Sequence, residues 1–151
     1  SMRVQYHNRK PVSFPIEAIY TDMDTLLQTS DYILVMTPLT PETEGMIGLE
    51  EFRKMKRSAV FINASRGAVV RESEMVEALS QGFLYGAGLD VYQLEPIDPA
   101  NPLLKFPNVV TTPHIGSSTH ETRDAMFLRA AQNMHAFASG QTPPDVVPEL
   151  R

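Results

Sequence analysis

Short runs rich in Val, Ile, Leu and Tyr alternate along this chain with stretches of helical period, and no other feature narrows its possible folds as much. The runs are Arg3 to His7, Tyr32 to Met36, Ala59 to Asn63, Leu84 to Asp90 and Asn108 to Thr112. Met23 to Gln28, Leu49 to Lys56 and Glu72 to Gln81 read as helices, the last closed by Gly82 in the position of a left-handed C-cap. Parallel strands need a crossover connection, so this alternation predicts βαβ units around a parallel sheet. Most of the strand runs are almost continuously apolar, which predicts burial on both faces.

After the fifth run the period changes. Met126, Phe127, Ala130, Ala131, Met134, Phe137 and Ala138 form one apolar stripe on a long helix from Thr119 to Ser139, read as packing surface. Ser118 and Glu121 have the spacing of a capping box at its start, and Gly140 marks its end. Pro143, Pro144 and Pro148 make Gln141 to Arg151 an expected extended tail. Pro96, Pro99, Pro102 and Pro107 exclude a continuous helix or central strand from Glu95 to Pro107, which is therefore expected to be an ordered loop of functional interest.

Composition removes several function classes. A formal net charge of -5 argues against nucleic acid or an anionic membrane as partner, since both need a concentrated excess of Lys and Arg. With no cysteine there is neither a disulfide nor a thiolate metal site, and no run approaches the roughly 18 apolar residues of a membrane span. A cytoplasmic location fits this pattern. His7, His120 and His135 lack metal-ligand spacing with acidic partners and are read as structural. At 151 residues a single domain is the default. The opening Ser1-Met2 has neither the basic start nor the apolar stretch of a signal peptide, and the chain is expected to continue upstream.

In an open parallel sheet, ligands bind beyond the carboxyl ends of the strands. Those positions are polar here: Asn8-Arg9-Lys10 after the first run, Thr37-Pro38 after the second, Ala64-Ser65-Arg66 after the third, Asp90 and then Glu95 after the fourth, and Pro113-His114 after the fifth. Parallel strands would bring Arg66, Asp90, Glu95 and His114 to one edge. An arginine can grip a carboxylate through a bidentate fork, and a histidine can give or take a proton near neutral pH. A carboxylate bonded to the imidazole would favour the protonated ring and orient it. Together these groups suit interconversion of a 2-keto and a 2-hydroxy acid, which requires a bound hydride carrier because no side chain supplies hydride.

Four segments then carry a resemblance: TPLTPETEGMIG (Thr37 to Gly48), MKRSAVFINASRGAVV (Met55 to Val70), GAGLDVYQLEP (Gly86 to Pro96) and NVVTTPHIGSST (Asn108 to Thr119). In this order they resemble the D-isomer-specific 2-hydroxyacid dehydrogenases, with the nearest likeness to the glyoxylate, hydroxypyruvate and 2-ketogluconate reductases. The resemblance implies an α/β fold: the later strands of a Rossmann-like, doubly wound parallel sheet, in residues 1–118, with a long helix and tail, 119–151, returning toward a substrate domain. It implies that Arg66 holds the substrate carboxylate, His114 is the acid/base and Glu95 supports it. Asp90 would face the nicotinamide carboxamide and Ala64 would offer a neighbouring backbone contact. The implied cofactor-binding set is Asn8, Arg9, Lys10, Thr37, Pro38, Ala64, Arg66, Asp90, His114 and Gly116.

The family's glycine-rich phosphate turn and most of its substrate domain would lie upstream of Met2, so the chain resembles roughly the last half of a family member. The isolated chain is therefore expected to be inactive, and a homodimer is expected of the complete protein. The turn after the first run has no acid to bond ribose hydroxyls, whereas Arg9 and Lys10 can receive a 2′-phosphate, which predicts NADP in preference to NAD. The expected partner is a small 2-keto or 2-hydroxy acid. A phosphoglycerate dehydrogenase and a nucleotide-sensing corepressor of the same fold remain as alternatives.

Overall fold

The computed structural model describes residues 2–147, which fall into two compact units, one up to His114 and the other from Ile115 on. In the first unit the element order is β1 (Gln5–Tyr6), β2 (Ile19–Tyr20), α1 (Met23–Thr29), β3 (Tyr32–Val35), α2 (Leu49–Lys54), β4 (Val60–Asn63), α3 (Glu72–Ser80), β5 (Gly86–Leu89) and β6 (Val109–Thr111). Short 3-10 turns follow β4 at Gly67–Val69 and precede β6 at Pro102–Lys105. The second turn lies inside the proline-rich loop, where Pro102 starts it and the Asn101 side chain accepts from the Leu103 amide.

β3, β4, β5 and β6 form a parallel sheet in that order, giving the α/β, Rossmann-like architecture expected. Each expected strand is present but shorter than its apolar run, because ladder pairing stops before the run does. The first run departs from expectation. β1 pairs in parallel with β2, Gln5 opposite Ile19, in a separate two-stranded sheet. β2 is not legible in the sequence because two exposed residues, Ile19 and Tyr20, show no period.

The expected burial on both faces does not hold. Ile33, Val35, Phe61, Ala87 and Leu89 pack inward with Leu27, Phe52, Ile47 and Met75, and Phe52 meets Phe61 edge to face at 5.2 Å. The outward residues Tyr32, Leu34 and Val110 are 65%, 58% and 69% exposed. Strands are added in sequence order, and right-handed crossovers then place α2 and α3 on the same side. Apolar continuity in the runs was therefore no guide to how many faces these helices cover.

In the second unit, α4 spans His120–Ala138. Its N-cap is Thr119, whose hydroxyl accepts from the Thr122 amide at 3.2 Å, rather than Ser118 as the capping-box spacing suggested. Gly140 ends it at φ 70°, and Gly82 follows α3 at φ 65°, both in the left-handed region that favours glycine. Met126, Phe127, Met134 and Phe137 of the apolar stripe are exposed. The tail is not simply extended. Asp145 accepts from Arg129 and from Asn133 Nδ2 at 2.7 Å, returning the chain to the helix, while the expectation for residues 148–151 lies outside the described residues. Among the described residues no helix is long and apolar enough to cross a membrane.

Candidate functional site

Register places the site. Val35 pairs with Asn63, Asn63 with Leu89 and Leu89 with Thr111, so four parallel strands end level with one another. The segments that follow, beginning at Met36, Ala64, Asp90 and Thr112, emerge along one edge, where the polarity of the sequence pointed. A cavity of about 400 Å³ opens there, lined by Met36, Thr37, Pro38, Ala64, Ser65 and Arg66 among others.

The turn that carries Arg66 is built on Asn63, which is 1% exposed at the inward end of β4. Its Oδ1 accepts from the Ser65 amide at 3.1 Å and the Ser65 hydroxyl at 2.8 Å, and its Nδ2 donates to the Arg66 carbonyl at 3.0 Å. One buried amide thus satisfies three polar groups of the turn, as burial requires. The Arg66 side chain is anchored by one N–H to the Ser65 carbonyl at 2.7 Å and is otherwise presented outward. Sequence reasoning overlooked Asn63, although a lone polar residue at the end of an apolar strand was the available signal.

Glu95 and His114 meet across the ends of the last two strands. His114 Nδ1 lies 2.7 Å from Glu95 Oε2, and Glu95 Oε1 accepts from the Tyr92 amide at 3.1 Å. The Glu95 carboxyl is held below its ordinary pKa chiefly by the bond from His114, against a smaller opposing effect of burial. The Tyr92 amide and the positive charge of Arg66 lower it further, which puts Arg66 within electrostatic reach of the pair. His114 has φ 53°, a conformation that residues other than glycine seldom hold unless their surroundings impose it. Asp90 accepts a 2.5 Å bond from the Thr112 hydroxyl, tying the ends of β5 and β6.

The loop bearing Glu95 is pinned from α3. Glu72 accepts from the Gln93 amide at 3.0 Å and from Asn101 Nδ2 at 2.7 Å, so one carboxylate holds the loop on both sides of Glu95. Nothing local in the sequence marked Glu72 for this.

Arg66, Asp90, Glu95 and His114 thus share one edge with Thr37, Pro38 and Ala64. Asn8, Arg9 and Lys10 follow β1 in the smaller sheet and are exposed. The positive charge of Arg9 reaches Glu42, whose carboxyl is kept below its usual pKa first by its bond with Thr40 and to a smaller extent by Arg9. Gly116 belongs to the second unit.

Residues 1–116 match the family described as D-isomer specific 2-hydroxyacid dehydrogenase, NAD binding domain. The chain belongs to this family. It is 47% identical over 150 residues to glyoxylate/hydroxypyruvate reductase B of Cronobacter sakazakii, covering 97% of this chain and 46% of that protein. It is 44% identical over 149 residues to a glyoxylate reductase of Korarchaeum cryptofilum, covering 97% and 45%. Among solved structures, an NADPH-dependent glyoxylate/hydroxypyruvate reductase of Sinorhizobium meliloti, in complex with NADP and malonate, superposes with a TM-score of 0.90 at 32% identity, covering 98% of this chain and 46% of that one. The chain thus spans less than half the length of these relatives.

Proposed function

We propose that the protein carrying this chain reduces a small 2-keto acid, such as glyoxylate, hydroxypyruvate or 2-ketogluconate, to the 2-hydroxy acid, using NADPH in preference to NADH. The observation that carries this reading is the 2.7 Å Glu95–His114 contact on the same sheet edge as Arg66. A cavity bounded by small and uncharged residues, Ala64, Pro38 and Thr37, with Arg66 at its rim, fits a nicotinamide ring beside an anionic substrate. The bound nicotinamide would supply the hydride for the keto carbon. Arg66 holds the substrate carboxylate through its planar fork. Glu95 occupies Nδ1 of His114, so Nε2 is the nitrogen that gives its proton to the carbonyl oxygen. The neutral ring then regains a proton from solvent. Asp90 and the backbone at Ala64 would hold the carboxamide of the cofactor.

The names of the relatives support this reading. With it go a cytoplasmic homodimer, no nucleic-acid or membrane partner, and a division in which residues 1–118 serve the nucleotide-binding domain and 119–151 lead back toward the substrate domain. Activity is proposed for a protein with both halves, and the 151 residues alone are expected to be inactive. Purified full-length protein should consume NADPH when given glyoxylate or hydroxypyruvate, followed by the loss of reduced-nicotinamide absorbance. No consumption with any of the three keto acids and either cofactor would reject the proposal.

A further inference from the structure

Tyr92 is buried, its amide bonds one member of the Glu95–His114 pair and its hydroxyl bonds the turn that leads to the other. Its amide donates to Glu95 Oε1 at 3.1 Å. Its hydroxyl lies 2.8 Å from the Thr112 carbonyl and 3.0 Å from the Leu89 carbonyl, with one proton to share between them. The Thr112 carbonyl is also the acceptor for the amide of His114, at 3.1 Å. The Tyr92 hydroxyl and the His114 backbone thus converge on one oxygen, that of Thr112, two residues before His114 with its φ of 53°.

We propose that Tyr92 is a positioning residue: its amide fixes the carboxylate and its hydroxyl fixes the turn that presents the imidazole, so that Glu95 and His114 meet at bonding distance. The proposal deepens the keto-acid reading and rests on it for any effect on turnover. A phenol is suited to this task because it reaches from the end of β5 to the end of β6 while its ring fills apolar space. Burial raises the hydroxyl's pKa, which keeps it a donor. A left-handed residue persists where surrounding contacts over-determine it, and the shared carbonyl is one such contact. The charged groups that reach this corner are Arg66, Asp90 and Glu95.

Tyr92→Phe isolates the hydroxyl. The ring remains, and neither carbonyl is orphaned, because Leu89 still accepts from the Thr112 amide at 2.8 Å and Thr112 still accepts from His114. The variant is therefore expected to fold. The test uses full-length protein labelled at its histidine rings and followed by NMR across pH. The His114 signal is identified as the one missing from His114→Gln. In Tyr92→Phe its titration should move to lower pH, part of the way toward its position in Glu95→Gln, with no further movement in the double variant. Turnover should fall roughly 3- to 10-fold, the scale of one lost neutral hydrogen bond, while the KM for the cofactor stays unchanged.

A titration curve identical to the parent's would overturn the proposal even if the melting temperature fell, because a purely structural tyrosine lowers stability without altering the ring's proton. Movement in the double variant beyond that of Glu95→Gln would also overturn it, since Tyr92 would then act apart from Glu95. If the curve moves but the parent protein turns over no keto acid, the positioning of the pair stands and the proposed reaction fails.

Discussion

Gly67 lies so close beneath Tyr92 that a Cβ at Gly67 would overlap the carbonyl carbon and oxygen of Tyr92. The turn that carries Arg66 and the loop that carries Glu95 are thus packed backbone against backbone, which no side chain at position 67 would permit. Gly67→Ala should lower unfolding free energy by about 1–3 kcal/mol, the usual cost of overpacking, because neither carbonyl nor chain can step aside as a flexible side chain can. Urea titration of variant and parent checks this. An unchanged midpoint would mean that the two segments are not held in contact in solution.

Arg66→Lys should weaken use of the keto acid more than it affects cofactor binding. An ammonium keeps the charge but cannot reproduce the two parallel N–H donors of a planar fork. The Ser65 carbonyl, which now accepts from Arg66 at 2.7 Å, would also lose its partner. Steady-state kinetics in the full-length protein decide the point, and an unaltered kcat/KM would remove Arg66 from the substrate site.

His114→Gln should lower turnover by roughly 100-fold or more, the scale of a lost general acid, with cofactor affinity nearly intact. Glu95→Gln should shift the pH profile of turnover toward lower pH. The bond from His114 depresses the carboxyl of Glu95 below its ordinary value, so the ionised carboxylate and the proton on the ring favour each other. The neutral amide no longer favours imidazolium. The same contact adds stability above the ordinary carboxylate pKa, and that contribution is lost as pH falls through the lower folded value. A profile identical to the parent's would show that Glu95 does not influence the histidine during turnover.

The exposed turn at Asn8, Arg9 and Lys10 has no acid to repel a 2′-phosphate. The full-length protein should therefore use NADPH over NADH by at least about tenfold in kcat/KM, equivalent to about 1.4 kcal/mol. Arg9→Asp should remove part of that preference. Arg9 lies within the influence of Glu42, so Glu42→Gln, which frees its charge, should strengthen discrimination modestly rather than weaken it. Kinetics with both cofactors check all three proteins, and equal use of NADH by the parent would assign Arg9 and Lys10 to solvent.

The sequence by itself determined the elements that depend on near neighbours. Period-driven helices at Met23, Leu49, Glu72 and His120, four of the five expected strands in their shared sheet, and stops at Gly82 and Gly140 were all legible, because side-chain period and left-handed glycine act over a few residues. The polar residues at the strand ends were legible for the same reason, since parallel strands carry whatever follows them to one edge. The tertiary structure alone decided what depends on distant partners. It paired β1 with β2 rather than with the main sheet, left Tyr32, Leu34 and Val110 exposed on one face, and brought Asp145 back to Arg129. It also decided the supports of the site. Glu72 holds groups 21 and 29 residues away, and the Tyr92 hydroxyl meets Thr112 across 20 residues. Such contacts have no period for a sequence to display, because they arise from where crossovers place chain segments after the sheet has formed.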